Sequence, residues 1–438
     1  MGSALLESLL EPEAGETAAS QPDWLNATRR SAAIAVERDG LPGPRNEAWK
    51  YTSLRALEQR RHANGDANAL TRTVDPARFL LPGIEGARLV FVNGVYRPDL
   101  SRKSPVDGLS ISTLALATAS DLDASRALLE REFSDPASAF ARLNTVLAAD
   151  GPIVRVRAGA TIARPIHFVF IGGSADSEIA WNLRAVVEIG DGASLHLIEH
   201  HVNSSGTGAA QLGNIVSQYA IGRGARLDLV QIQDAAESAS LIRRSEFTIA
   251  DDAVLSTHTL ETGAQMMRHD FIVDLAGRGA RLISRGVFAL HGRQHADTHL
   301  DVQHNARDTT SDIVWRGVAD QRSRGVFHGA ITVAAGADGA DAQLSNKNLL
   351  LSANAEIDTQ PVLEIYADEV KAAHGATVGQ LDEDALFYLR SRGLAPDAAR
   401  RLLISAFCSA VLSDLPEQHL REHLDALLAA RLPQATEE

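Results

Sequence analysis

The sequence predicts a mainly β chain built on a β-helix, with helical regions at both ends. Two patterns carry this expectation. After Gly151 a tight turn of Gly or Asp followed by Ala recurs between alternating apolar residues: Gly159-Ala160, Gly192-Ala193, Gly224-Ala225, Asp252-Ala253, Gly279-Ala280 and Gly339-Ala340. The first five copies are 33, 32, 28 and 27 residues apart, and a double interval precedes the last. Periods of this size signal stacked units, and no helical period intervenes, so each unit holds only short strands. A propeller blade takes about 40 residues or more. One coil of a parallel β-helix with glycines at its corners suits the spacing better, with a β-sandwich as the alternative. The second pattern is a change of period near Gly379, where alternation ends and apolar residues fall three and four apart.

These patterns divide the chain into a helical N-terminal region (1–85), a β-helix (86–379) with a helical insertion near 113–149, and a helical domain (380–438). Residues 1–22 read as a loose arm. Pro22-Asp23 starts a helix that Gly40 ends, and Pro42-Gly43-Pro44 forces a break. Asn46-Glu47-Ala48-Trp49-Lys50-Tyr51-Thr52 reads as a short helix anchored by two aromatics, and 56–73 as a mobile connector. Residues 87–95 alternate like a strand, and 122–133 and 136–149 read as helices, the second started at Asp135-Pro136. Asp382-Glu383-Asp384 gives the first terminal helix an acidic first turn, favoured by the helix dipole, and Gly393 closes it. Ala395-Pro396-Asp397 and Pro416 start two more. Three helices so short have little core of their own and must pack on something else.

Composition excludes several classes. With 42 basic against 56 acidic residues the net charge is −14, which argues against a nucleic-acid surface and suits a soluble cytoplasmic protein. No apolar run approaches the roughly 20 residues of a membrane span, and the N-terminus lacks a signal-peptide pattern. Cys408 is the single cysteine, so neither an internal disulfide nor a cluster held by four of this chain's own thiolates can form. It lies on an apolar helical stripe and reads as a buried, inert thiol. No Gly-x-x-x-x-Gly-Lys-Ser/Thr nucleotide loop occurs.

Four groups of residues could carry chemistry. His196-Leu197-Ile198-Glu199-His200 matches an inverted zinc-protease motif, but that chemistry needs a helix. On a strand the two histidines share one face and Glu199 points the other way. His291, His295 and His299 fall on one strand face around Asp297, where they read as an outer side-chain ladder or as the metal site of an enzyme built on the β-helix. His374, beside Gly375 at the strand-to-helix seam, reads as a cap of the last coil or as a metal ligand, since imidazole suits iron. Tyr388, Leu389, Arg390 and Arg392 place aromatic and guanidinium groups on the first terminal helix, the residue types that dominate contacts with partners.

Asn46 to Thr52, Pro361 to Gly379, Phe387-Tyr388-Leu389-Arg390-Ser391-Arg392-Gly393 and the closing helices, occurring together in this order, resemble the SufB/SufD family of the SUF iron–sulfur cluster assembly machinery. The seam reads His374-Gly375-Ala376-Thr377, where SufB-like chains have His-Glu-Ala-Thr, and Ile365 stands where those chains place a cysteine. The likeness therefore points to the SufD branch, with a SufB-type paralogue as the runner-up. It implies a right-handed parallel β-helix and a non-enzymatic scaffold subunit of a SufBCD-type complex. The implied partners are a SufB-like subunit, met through the β-helix, and a SufC-like ABC-type ATPase, met through the terminal helices at Tyr388, Leu389, Arg390 and Arg392. It implies no permanently bound cofactor but a transient iron–sulfur cluster at the SufB-facing surface, with His374 as its ligand. Whether the isolated chain forms a homodimer stays open.

Overall fold

The computed structural model describes all residues except 1–2, 12–22, 67, 121–125, 127–132, 204–208, 236 and 433–438. Strands of about ten residues alternate strictly between two ten-stranded sheets. Ile179–Ile189 belongs to the first sheet, Ser194–Asn203 to the second, Gln211–Ile221 to the first again, and so on to Glu356–Ile365 and Lys371–Gly379. Each strand pairs in parallel with its counterpart one coil away, for example Arg243 with His269 and Leu344 with His374. This is the β-helix the corner spacing predicts: a flattened solenoid with two strands per coil. The antiparallel pairs expected of a sandwich are confined to its first end, where Leu109–Thr113 meets Pro152–Val156 and Val95–Tyr96 folds back on Arg88–Val92.

The corners explain the repeat. Gly159, Gly192, Gly224, Asp252, Gly279, Asp308 and Gly339 all have positive φ, between 53° and 81°, a region that glycine enters freely and Asp tolerates. Each of these residues donates its backbone N–H to a carbonyl in the next coil's corner, as Gly192 does to Arg223 at 2.7 Å and Gly279 to Arg307 at 3.0 Å. The double interval in the sequence hides a seventh corner, Asp308-Thr309, where Asp stands at the turn as it does at Asp252 but Thr replaces the Ala of every other copy.

Alternation along each strand sends one row inward. Val, Ile, Leu and aromatic residues fill most of the interior, including Phe168, Leu195, Leu229, Phe247, Phe271, Trp315 and Phe327. The outward row of the second sheet is also apolar along a strip: Ile198, Val230, Ile232, Leu260, Val287, Ala289 and Val318. The terminal helices Pro396–Leu412 and Gln418–Arg431 cover that strip with Ile404, Cys408, Val411, Leu420, Leu424 and Leu428. Ion pairs border the strip: His196 to Glu417 at 3.0 Å, His258 to Asp414 at 2.7 Å, and Arg431 to Asp234.

The N-terminal region differs in two places from the sequence expectation. Part of the supposed loose arm is the helix Ala4–Leu10, with Leu5, Leu6 and Leu9 buried against Leu54, Leu57 and the first sheet. The supposed mobile connector is ordered. Residues Ala63–Asn64 pair with Ile179 and Ala180, and Arg72 holds Asp66 at 2.9 Å. The expected helix over 122–133 lies almost wholly outside the described residues; the one over 136–149 is Ala139–Leu147. Among the described residues no helix is long and apolar enough to cross a membrane.

Candidate functional site

Among the described residues no further strand follows the last coil at the far end of the solenoid. Glu356–Ile365 and Lys371–Gly379 are the terminal strands of the two sheets, so each presents one unpaired edge, the kind that takes up another chain's strand. Register places Ala372, His374, Ala376 and Val378 in line with Ala342, Leu344, Asn346 and Asn348 of the preceding coil. Those four are buried, whereas His374 is exposed, because its row would be interior only if another layer covered it. The interior turns polar just beneath. Thr359 donates to the Asn346 amide oxygen at 2.8 Å, and Asn348 donates to the Thr377 carbonyl at 3.1 Å. Ile365, Tyr366 and Val378 complete a half-apolar rim.

The other candidates lie on the first terminal helix, Glu383–Ser391, with Arg392 at its C-terminal cap, and not on the strand that carries His374. No hydrogen bond or ion pair joins the two groups among the described residues. Tyr388 is 57% exposed, and the Arg392 guanidinium lies 5.1 Å over its ring, a stack that fixes both side chains. Arg390 is exposed, whereas Leu389 is half-buried. Sequence reasoning passed over the most exposed apolar side chain here, Phe387, at 72%. Its position one residue from Tyr388 and outside the buried stripe was the available signal.

The histidines expected on one strand face separate. His291 precedes a turn at Gly292 and pairs with Glu237 at 3.2 Å, off the strand His295–His304. His295 meets the Thr52 hydroxyl at 2.7 Å. His299 lies 3.0 Å from the Asp297 carboxylate and stacks on His328 with centroids 4.6 Å apart. Asp297 also accepts from Thr52 and, at 2.7 Å, from Arg268. Burial alone would raise the Asp297 carboxyl; Arg268, His299 and Thr52 together hold it well below the usual carboxylate range. These groups seat the N-terminal motif instead of converging on a metal. Arg268 donates to the Ala48 carbonyl at 2.7 Å and stacks on Trp49 at 4.7 Å, while Trp49 stacks on Phe140. Among the described residues no three His, Cys, Asp or Glu are placed to hold a metal.

In the His-x-x-Glu-His stretch, His196 and His200 face outward on a strand and Glu199 faces inward. Glu199 opens a buried polar layer that the sequence reading did not identify. Its carboxylate accepts from Ser217 at 2.9 Å, from Gln231 at 2.8 Å and from Tyr219. The Arg243 guanidinium lies between Glu199 at 3.8 Å and Glu261 at 3.9 Å, too far for hydrogen bonds. Glu261 is completed by His269 at 3.0 Å and Thr298 at 2.7 Å. Cys408 is fully buried, and burial pushes its thiol up to about 12, which makes it inert as a nucleophile.

Comparison with known proteins agrees with this architecture. The family model described as "SUF system FeS cluster assembly, SufBD core domain" matches residues 170–407, and that described as "SufBD protein N-terminal region" matches 6–168. The chain is 30% identical to the iron–sulfur cluster assembly protein SufD of Escherichia coli, over 90% of each chain. It is 29% identical to an iron–sulfur cluster assembly SufBD family protein of Synechocystis, over 92% of this chain and 90% of that one. It is 23% identical to SufD of Bacillus subtilis, over 94% and 95%. Two strand edges left open beside an exposed histidine thus belong to a solenoid with known relatives along nearly its whole length, and the chain is a SufD-like member of the SufBD family of iron–sulfur cluster assembly proteins.

Proposed function

We propose that this chain is a non-enzymatic scaffold subunit of a cytoplasmic SufBCD-type complex, pairing through the open end of its solenoid with a SufB-like chain. The observation that carries the reading is the pair of unpaired edges, Glu356–Ile365 and Lys371–Gly379, lying side by side with an interior row uncovered. A second solenoid end placed there would continue both sheets and bury His374, Ile365 and Val378. His374 then stands in the seam between the two chains, where its neutral ring can ligate iron of a nascent cluster, the cargo of the complex. This chain brings no accessible thiol, so sulfur ligands would come from the partner.

The ABC-type ATPase docks, in this reading, on the first terminal helix through Phe387, Tyr388 and Arg392, with Arg390 at the rim and Leu389 supporting from below. Leu389 is assigned the supporting part because it is half-buried, unlike its exposed neighbours Tyr388 and Arg390. A nucleotide-driven movement of two ATPases would pull on both terminal domains and reach the seam through the strip that fastens those helices to the second sheet.

Co-expression with a SufB-like chain and the ATPase tests the assembly. A stable three-protein complex is expected, and recovery of the chain free of both partners would sink the reading. Within the complex, His374→Ala should leave assembly and melting temperature unchanged but cut bound iron and sulfide several-fold. Normal iron and sulfide in an intact variant complex would reject the ligand role. The double substitution Phe387→Glu, Tyr388→Glu should abolish ATPase capture while the chain still binds its SufB-like partner.

A further inference from the structure

The N-terminal motif crosses the outer face of the first sheet in steps that lead toward the open end. Arg268, on the strand Met266–Leu275, donates to the Ala48 carbonyl and stacks on Trp49. One strand further, on His295–His304, His295 and Asp297 hold the Thr52 hydroxyl. One strand further again, on Arg324–Val333, the Arg324 guanidinium lies 5.7 Å from the centre of the Tyr51 ring. The next neighbour in the sheet is the edge strand Glu356–Ile365. Arg324 spans that remaining step, pairing with Glu356 at 3.2 Å and Asp358 at 2.8 Å.

We infer that the tip of this motif, Lys50 and Tyr51, belongs to the seam and touches the SufB-like chain that pairs with the edge strand. The inference rests on the scaffold reading above and adds a contact outside the two β-ladders. Reach is sufficient. Neighbouring strands lie about 4.8 Å apart, so a partner strand added to the edge would run about 10 Å from the strand that carries Arg324. Its outward side chains, and whatever covers them, would stand beside the tip. The tip is also fixed in advance. The Lys50 ammonium lies 4.8 Å from the centre of the Tyr51 ring, so two cations hold that ring. Lys50 is itself tied to Glu47 at 2.6 Å. A side chain already held in place loses little freedom when a partner closes on it, and Tyr and Arg are the residue types that dominate such contacts. The seat beneath is rigid for the same purpose. Thr52, Arg268 and Asp297 are buried, so the motif cannot swing off the sheet without baring the Arg268–Asp297 pair. Arg45, Asn46, Glu47 and Lys50 nevertheless stay exposed. An anchored segment with an exposed tip one strand short of an open edge continues the surface that the edge offers.

Cys408 is fully buried, so a cysteine placed at the tip is the single accessible thiol of the chain. The full chain carrying Lys50→Cys is labelled with a benzophenone maleimide, mixed with the SufB-like chain and the ATPase, and irradiated. A covalent adduct with the SufB-like chain is expected. Leu70→Cys, exposed but beside Arg97 at the opposite end of the solenoid, should give none. Tyr51→Ala should weaken pairing with the SufB-like chain at least tenfold. Lys50→Glu, at an exposed position, should act in the same direction and keeps the test open if Tyr51→Ala does not fold. Melting temperature reports folding in each variant. Failure of the native chain to pair rejects the scaffold reading itself. A native chain that pairs, while Lys50→Cys gives no more adduct than Leu70→Cys, overturns this inference alone. So does native affinity in the folded Tyr51→Ala and Lys50→Glu chains.

Discussion

Arg243 sits inside a β-helix with Glu199 and Glu261 on either side and no hydrogen bond from either terminal nitrogen. Removing one partner of such a buried group strands the others. Arg243→Ala should therefore cost about 3–5 kcal/mol, read as a lower urea midpoint. A second residue-scale expectation concerns pH. Burial lowers the His304 ring to about 4, and Thr309 and Ser311 bond its two nitrogens at 2.8 and 2.9 Å. The folded value lies below the unfolded value of about 6.5, so His304 favours folding above pH 6.5 and loses that contribution as pH falls through 4. The same sign holds for the buried rings of His167 and His201, each lowered to about 3 by burial. The urea midpoint should drop steadily between pH 7 and 4, and His304→Gln should flatten that slope. A slope identical to the native chain's would show that His304 is not among its causes.

The strands and their corners were legible in the sequence because one residue type does one geometric job. Glycine marks five positive-φ corners, and the spacing between them is the length of a coil. Asp308 escaped because Thr309 follows it, so it lacks the Ala by which Asp252-Ala253 was recognised, while its Asp still enters the same region. His291 was misplaced for the converse reason: a run of histidines four apart looks continuous, and only the turn at Gly292 breaks it. At the candidate site His374 was visible as an ionisable residue at a change of period. Phe387 and the Glu199–Arg243–Glu261 layer were not, since exposure and interior parity depend on which face each element buries. Two glycines make a matched test. Gly224 has φ of +61° and an ideal Cβ there meets nothing within 4 Å, so Gly224→Ala isolates the backbone strain and should cost about 1–2 kcal/mol. At Gly375 φ is not positive and the added Cβ again meets nothing, so Gly375→Val should leave the isolated chain's melting temperature unchanged. Loss of pairing with a SufB-like chain in that same variant would place a partner's backbone against position 375.

For the whole molecule, the terminal helices are part of the solenoid's lateral wall. Their apolar stripes are spent on Ile198, Val230, Leu260, Val287 and Val318, which leaves Phe387, Tyr388 and Leu402 as the exposed apolar surplus of that domain. Deleting residues 380–438 would bare the strip, so the truncated chain should aggregate in gel filtration even with its coils intact. A monodisperse truncated chain would mean that the strip is not held mainly by these helices. The same arrangement has a consequence for synthesis on the ribosome. Coils that contact only their neighbours can form in order as the chain emerges. The cover for the earliest of them cannot, because His423 and Arg431 meet His200 and Asp234 across about 200 residues of intervening chain. A nascent chain therefore carries a lengthening greasy seam until its last helix is translated, a window in which holding by a chaperone would decide yield.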